Sequence, residues 1–135
     1  MQLVSEARVE LGTEPDIVRA RQLVRKLAQD IRFSLVDQTK LVTAASELAR
    51  NTVKHGGGGY MDMQLLADGG RQGIRLHFVD EGPGIADLDQ AMTDGWTSGG
   101  GLGLGLSGSR RLSNEFEIQS APGDGTRVEA VVPVV

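Results

Sequence analysis

The sequence predicts an α/β fold: a two-layer sandwich in which a mixed, mostly antiparallel sheet carries its helices on one face. Three observations predict it. Five stretches alternate apolar and polar residues, the period of a strand with one face buried. Between the first and second of these lie two long stretches with apolar residues at helical spacing. The later strands are joined in pairs by short turn sequences, and such hairpins cannot build an all-parallel sheet. The polar residues left on the other sheet face fit a single helical layer.

The elements follow in order. In "LVSEARVELGT", Val9 and Leu11 face one way and Arg8 and Glu10 the other, so this is a strand. "TEPDIVRARQLVRKLAQDIRFS" places Ile17, Ala20, Val24, Leu27, Ala28 and Ile31 on one helix face, with Arg19, Arg21, Arg25 and Lys26 opposite. Pro15 suits the first turn of that helix. A second helix, "VDQTKLVTAASELARNTVKHG", starts with Asp37 as its predicted cap. It carries a small-residue face of Leu41, Ala44, Ala45, Leu48, Ala49 and Thr52, and Gly56 begins its stop. "YMDMQLLADGG" and "GIRLHFVDEG" read as a hairpin turning at Asp68-Gly69-Gly70, with Ile74, Leu76 and Phe78 inward and Arg75 and His77 outward. A short helix, "DLDQAM", precedes a glycine-rich loop, and a further helix is expected from Leu104 to Leu112. "NEFEIQSA" and "GTRVEAVVPVV" finish as strands around Pro122-Gly123-Asp124-Gly125.

At 135 residues the chain is expected to form one domain, residues 1–135, large enough to bury its own core. It has no cysteine, hence no disulfide framework and no thiolate metal site. No apolar run approaches the ~20 residues of a membrane span, and the first residues lack a signal-peptide pattern. A cytoplasmic protein without a membrane partner is the expectation. The net charge of −4 argues against a general nucleic-acid binder, since phosphate neutralisation requires a basic surplus.

Three constellations carry chemistry. The first is the loop "TSGGGLGLGLSGSRR". Its Gly103-Leu104-Gly105-Leu106-Ser107-Gly108 matches G-x-G-x-x-G, but a dinucleotide fold needs a strand immediately before, and "TDGWTSGG" cannot be one. No Gly-Lys-Ser/Thr occurs, so there is no Walker A loop. Glycines entering a helix can still present free N–H groups to an anion. A plain flexible loop fits the run equally well. The second is "FVDEGPGI", where Asp80 ends a strand and the chain turns through Gly82-Pro83-Gly84. Such an aspartate can accept from an amino group such as that of adenine; an ordinary Asp/Gly/Pro turn is the alternative. The third is "SELARNTVKHG". Glu47, Asn51 and Lys54 share one helix face, and a carboxylate, an amide and an ammonium there suit a proton acceptor, Mg²⁺ and phosphate. A solvated helix surface is the alternative.

Taken in order, "ELARNTVKHG", "DEGPGI", "GGGLGLGL" and the Gly125-Thr126 pair resemble the nucleotide-binding boxes of the GHKL ATPase/kinase superfamily, which includes gyrase, Hsp90, histidine kinases and MutL. The matched region spans most of the chain. "ASELARN", "DEGPGIADLDQAMTDGWTSGGGLGLGL" and "RRLSNEFEIQS" look most like the small bacterial serine/threonine switch kinases of the stressosome.

The resemblance implies the GHKL ATP-binding fold, with ATP and Mg²⁺ as ligands. It implies Glu47 as general base, Asn51 on Mg²⁺ and Lys54 on a phosphate. Asp80 would accept from the adenine amino group, with Gly82 and Gly84 letting the base pack closely. Gly101, Gly103 and Gly105 would form a phosphate-closing lid with backbone from Leu104 and Leu106. Thr126 would support Asp80 or a water beside adenine. A histidine kinase would need its own phosphoacceptor histidine, and neither His55 nor His77 looks like one. The implied activity is ATP-dependent phosphorylation of STAS-domain partners of the RsbS and RsbR kind. Binding and activation of a downstream phosphatase or cyclase-type output protein would follow. The rival reading is an anti-sigma factor of the RsbW or SpoIIAB kind, which sequesters a sigma factor and phosphorylates its antagonist.

Overall fold

In the computed structural model, residues 2–84, 115–120, 122–123 and 125–134 are described. The chain opens with strand β1 (Gln2–Leu11) and continues through helices α1 (Glu14–Asp30) and α2 (Leu35–Lys54). Strands β2 (Gly59–Asp68), β3 (Arg71–Asp80), β4 (Glu115–Ser120) and β5 (Thr126–Val134) complete one sheet in the order β1-β2-β3-β5-β4. The expected sheet was mixed and mostly antiparallel, and among the described strands all four pairings are antiparallel. β3 and β4 do run in the same direction, but β5 lies between them and pairs with both.

Each helix starts for a local reason. At α1, the Asp16 carboxylate reaches back and accepts from the backbone N–H of Gly12 (2.8 Å) and Thr13 (2.9 Å), while Pro15 fills a position that needs no donor. Those two donors hold the Asp16 carboxyl below its usual range. α1 closes in a left-handed turn at Arg32 (φ 62°). There the N–H of Phe33 donates to Ala28 (2.9 Å) and that of Arg32 to Gln29 (3.0 Å), the pattern that satisfies terminal carbonyls. Ser34, not Asp37, caps α2: its Oγ accepts from the Asp37 N–H at 3.1 Å. Asp37 sits in the first turn instead, where its charge still favours the helix dipole.

The core lies between the helices and one sheet face. Val9, Leu11, Met61, Met63, Ile74, Leu76, Phe78 and Val128 are buried against Ile17, Ala20, Val24 and Ala28 of α1 and Leu41, Ala45, Leu48 and Ala49 of α2. The β2–β3 turn is the two-residue Gly69-Gly70, both at positive φ (55° and 89°), as the right-handed twist of the flanking strands requires. The opposite sheet face is polar. Arg8 forms a two-pronged ion pair with Asp62 (2.7 and 3.0 Å) and lies 3.9 Å over the Tyr60 ring, and Arg75 pairs with Glu129 at 3.2 Å. No described helix is long and apolar enough to cross a membrane.

Candidate active site

One end of the sheet gathers the site. The register places Gly59, Asp80, Thr126 and Ser120 in a single row across β2, β3, β5 and β4. The C-terminus of α2 arrives over this row through Gly56. Asp80 is 8% exposed. Its Oδ1 accepts from the backbone N–H of Gly82 (2.9 Å) and of Thr126 (3.2 Å). Burial pushes the Asp80 carboxyl above its usual range, and these two hydrogen bonds pull it part of the way back. Among the described residues, Oδ2 accepts no hydrogen bond. The result is a fixed carboxylate with one oxygen pinned and the other without a donor among the described residues.

Glycines gather around Asp80, where one stretch of backbone passes too close to the next for side chains. Gly125, at φ +72°, lies against the carbonyl of Asp80 and the Cα of Glu81 (3.0 Å from where its Cβ would be). A Cβ on Gly82 would meet the Gly56 carbonyl oxygen at 2.5 Å and the Gly56 Cα at 2.7 Å. Gly84 has φ +76°, and the Pro83 carbonyl before it accepts from the Gly123 N–H at 2.8 Å, tying the turn to the β4–β5 connection. Thr126 supports Asp80 with its backbone N–H; its hydroxyl lies 2.9 Å from that of Ser120.

α2 carries the second group. Its buried face (Leu41, Ala44, Ala45, Leu48, Ala49 and Thr52) leaves Glu47, Arg50, Asn51 and Lys54 along an accessible margin. Glu47 pairs through Oε1 with Arg50 Nη1 at 3.4 Å. The Asn51 carbonyl accepts from the N–H of His55 (2.9 Å) and Gly56 (3.0 Å), so the turn bearing Asn51 leads directly to the glycine at Asp80. Lys54 Nζ pairs with Glu14 Oε1 at 2.9 Å, and this lysine draws the Glu14 carboxyl below its usual range. Both partners are substantially exposed, so the pair is readily exchanged for another anion.

The structure thus brings Asp80, Gly82 and Thr126 together and sets Glu47, Asn51 and Lys54 on one margin of α2. Gly101, Gly103, Leu104, Gly105 and Leu106 lie outside the described residues, as do the expected helices at 87–92 and 104–112. Three contributors escaped the sequence reading: Glu14 and Arg50 as charge partners, and Gly56 as close-packed backbone; Gly125 was read as half of the Gly-Thr pair but not as backbone packed on Asp80. Arg50 had a signal, three residues after Glu47. Among the described residues no cluster of three or more acidic or histidine side chains could hold a metal. The Glu47 carboxylate and the Asn51 amide on the α2 margin are oxygen donors of the kind Mg²⁺ takes, one or two from protein beside waters and phosphate oxygens.

The described chain is thus an antiparallel sheet with one helical layer, an aspartate at a strand end and an acid-to-amide helix margin. The sequence profile of the histidine kinase-, DNA gyrase B-, and HSP90-like ATPases matches residues 36–135, and the chain belongs to that family. It is 45% identical over 123 residues to the serine/threonine-protein kinase RsbT of Bacillus subtilis (strain 168), covering 91% of this chain and 92% of that one. That likeness over nearly the whole of both chains identifies the enzyme class as protein serine/threonine kinase. The anti-sigma F factor of Thermoanaerobacter sp. (strain X514) is 29% identical over 115 residues, 81% of this chain and 79% of that protein. Among solved structures, the RsbU and RsbW domains of a Mycobacterium tuberculosis protein superpose with a TM-score of 0.66 at 20% identity, covering 95% of this chain and 32% of that one. The mycobacterial sensor histidine kinase MprB gives 0.55 at 18% identity, with 96% and 97% covered. Both structures share the fold.

Proposed function

We propose that this chain is a cytoplasmic partner-switching kinase that transfers the γ-phosphoryl group of ATP to a serine or threonine of a STAS-domain protein. The observation that carries the nucleotide half is the Asp80 carboxylate, pinned at Oδ1 by two backbone donors and with no donor to Oδ2 among the described residues. An adenine amino group is a donor of the kind that Oδ2 accepts. Gly84, at φ +76°, carries no side chain to stand between a flat ring and the backbone.

The α2 margin supplies the transfer half. Glu47 takes the proton of the partner's hydroxyl as that oxygen bonds to the γ-phosphorus and ADP departs. Asn51 would hold Mg²⁺, whose chemistry is to neutralise charge on the phosphates. Lys54 leaves Glu14 for a phosphate oxygen. The glycines at 101, 103 and 105, with the backbone of Leu104 and Leu106, close over the phosphates. Once its partner is phosphorylated, the released kinase binds and activates a phosphatase or cyclase-type output protein.

The likeness to anti-sigma F factors favours a second reading, in which the main output is sequestering a sigma factor. Incubating the chain with labelled ATP, Mg²⁺ and a STAS-domain protein, beside pull-downs against that protein and a sigma factor, separates the two. Label on the STAS protein without sigma capture is expected. No saturable affinity for any adenine nucleotide would overturn both readings.

A further inference from the structure

Gly56 sits where the two halves of the site meet. Its N–H donates to the Asn51 carbonyl at 3.0 Å, and it is buried against Asp80. A Cβ at this position would overlap Cγ and Oδ2 of Asp80 and lie 2.5 Å from its Cβ. The other flank is also closed, since Gly82 packs on the carbonyl oxygen and Cα of Gly56. The φ of Gly56 is not in the left-handed region, so backbone conformation does not demand glycine here. Space alone does.

We propose that Gly56 is a positioning residue for base selection: its missing side chain is what lets the Asp80 carboxylate stand with Oδ1 on Gly82 and Thr126 and Oδ2 toward the base. The inference rests on the reading of Asp80 as the adenine acceptor. A methyl group at residue 56 cannot be absorbed by a small rotation of the carboxylate, because it meets the Asp80 Cβ as well as its Cγ and Oδ2. Because rotation leaves the Asp80 Cβ in place, the end of β3 has to give way, which draws the carboxylate off its two backbone donors and misaligns the acceptor. The phosphate-binding groups do not depend on that carboxylate and keep their places.

The test compares ATP with purine riboside triphosphate, the same nucleotide without its 6-amino group, by calorimetric titration of wild type and Gly56→Ala. Wild type is expected to prefer ATP by about tenfold or more, the worth of one hydrogen bond to a charged acceptor. In Gly56→Ala that preference collapses: ATP weakens by about tenfold while the purine nucleotide changes less than about threefold. A purely structural role for Gly56 would weaken both nucleotides alike, and that result overturns the inference, as does a preference that survives. If wild type binds the two alike, the adenine reading of Asp80 falls, and the inference with it. If Gly56→Ala does not fold, Gly56→Ala/Asp80→Gly decides: recovery of a cooperative thermal transition supports the Asp80 clash, and failure to recover overturns it.

Discussion

Asp80→Asn separates the acceptor role of this residue from its place in the fold. The substitution keeps the shape and removes the charge. The amide oxygen takes the place of Oδ1, because the N–H groups of Gly82 and Thr126 both point there and would repel an NH₂. That orientation turns the NH₂ outward, to where Oδ2 now lies. An adenine amine then meets a donor instead of an acceptor. A hydrogen bond to a charged group is worth ~1.5–3 kcal/mol, so ATP affinity should fall about 10- to 150-fold. Stability should hold or rise at neutral pH, because burial disfavours the charged carboxylate that the substitution removes. Calorimetric titration with ATP and a thermal melt measure the two effects. Unchanged ATP affinity would refute the acceptor role, and a large drop in Tm would refute the account of Asp80 as a buried charge.

Other outcomes follow from the same geometry. Glu47→Gln should leave ATP binding intact and slow transfer to a STAS partner by at least ~100-fold in a radiolabel assay, the loss of a general base. Glu14→Gln releases Lys54 from its ion pair, so ATP should bind a few-fold tighter at low ionic strength, with the gain fading as salt is raised in the titration. Leu48→Ala empties a core position that is 1% exposed and should cost ~2–5 kcal/mol in denaturant unfolding. The raised Asp80 carboxyl means that the folded chain holds its proton more tightly than the unfolded chain does. Stability should therefore fall as pH rises from the unfolded to the folded value of this group, while ATP affinity is lost as pH falls through the folded value. Both dependences should disappear in Asp80→Asn, read by melts and titrations across the acid range.

The strands and both helices were legible because burial imposes a period. Val9 and Leu11, or Ile74, Leu76 and Phe78, sit two apart and are buried, and Ile17, Ala20, Val24 and Ala28 follow the helical spacing. Gly69-Gly70 marked its turn because few residues tolerate positive φ twice in succession. The cap of α2 was misplaced by three residues because Ser34 and Asp37 are both good cap formers, and the choice depends on how α1 ends. It ends through Arg32 at positive φ and a buried Phe33, a left-handed closure that an arginine gives no reason to expect. Strand order was hidden too, since it depends on which hairpin inserts against β3, and no local pattern encodes that.

The site divides along a different line. Residues proposed to act through side chains (Glu47, Asn51, Asp80) stand out in a sequence because their chemistry is written in their type. Residues that act by having no side chain do not. Gly56 reads as a helix stop and Gly125 as part of a turn, and both are those things. Their second role, leaving room for Asp80, exists only when α2, β3 and β5 converge on one row of the sheet. The test of that role is accordingly steric and not chemical. At Gly56 the backbone is already compatible with alanine, so the cost of a methyl group measures the closeness of Asp80 alone. At Gly125 a methyl group would meet the backbone carbonyl of Asp80 instead of its side chain, and φ +72° adds conformational strain. Gly125→Ala should therefore destabilise the fold more than Gly56→Ala in thermal melts, and Asp80→Gly should rescue only the variant at residue 56. Equal rescue of both would mean that crowding by the Asp80 side chain, not backbone conformation, explains the glycine at each position.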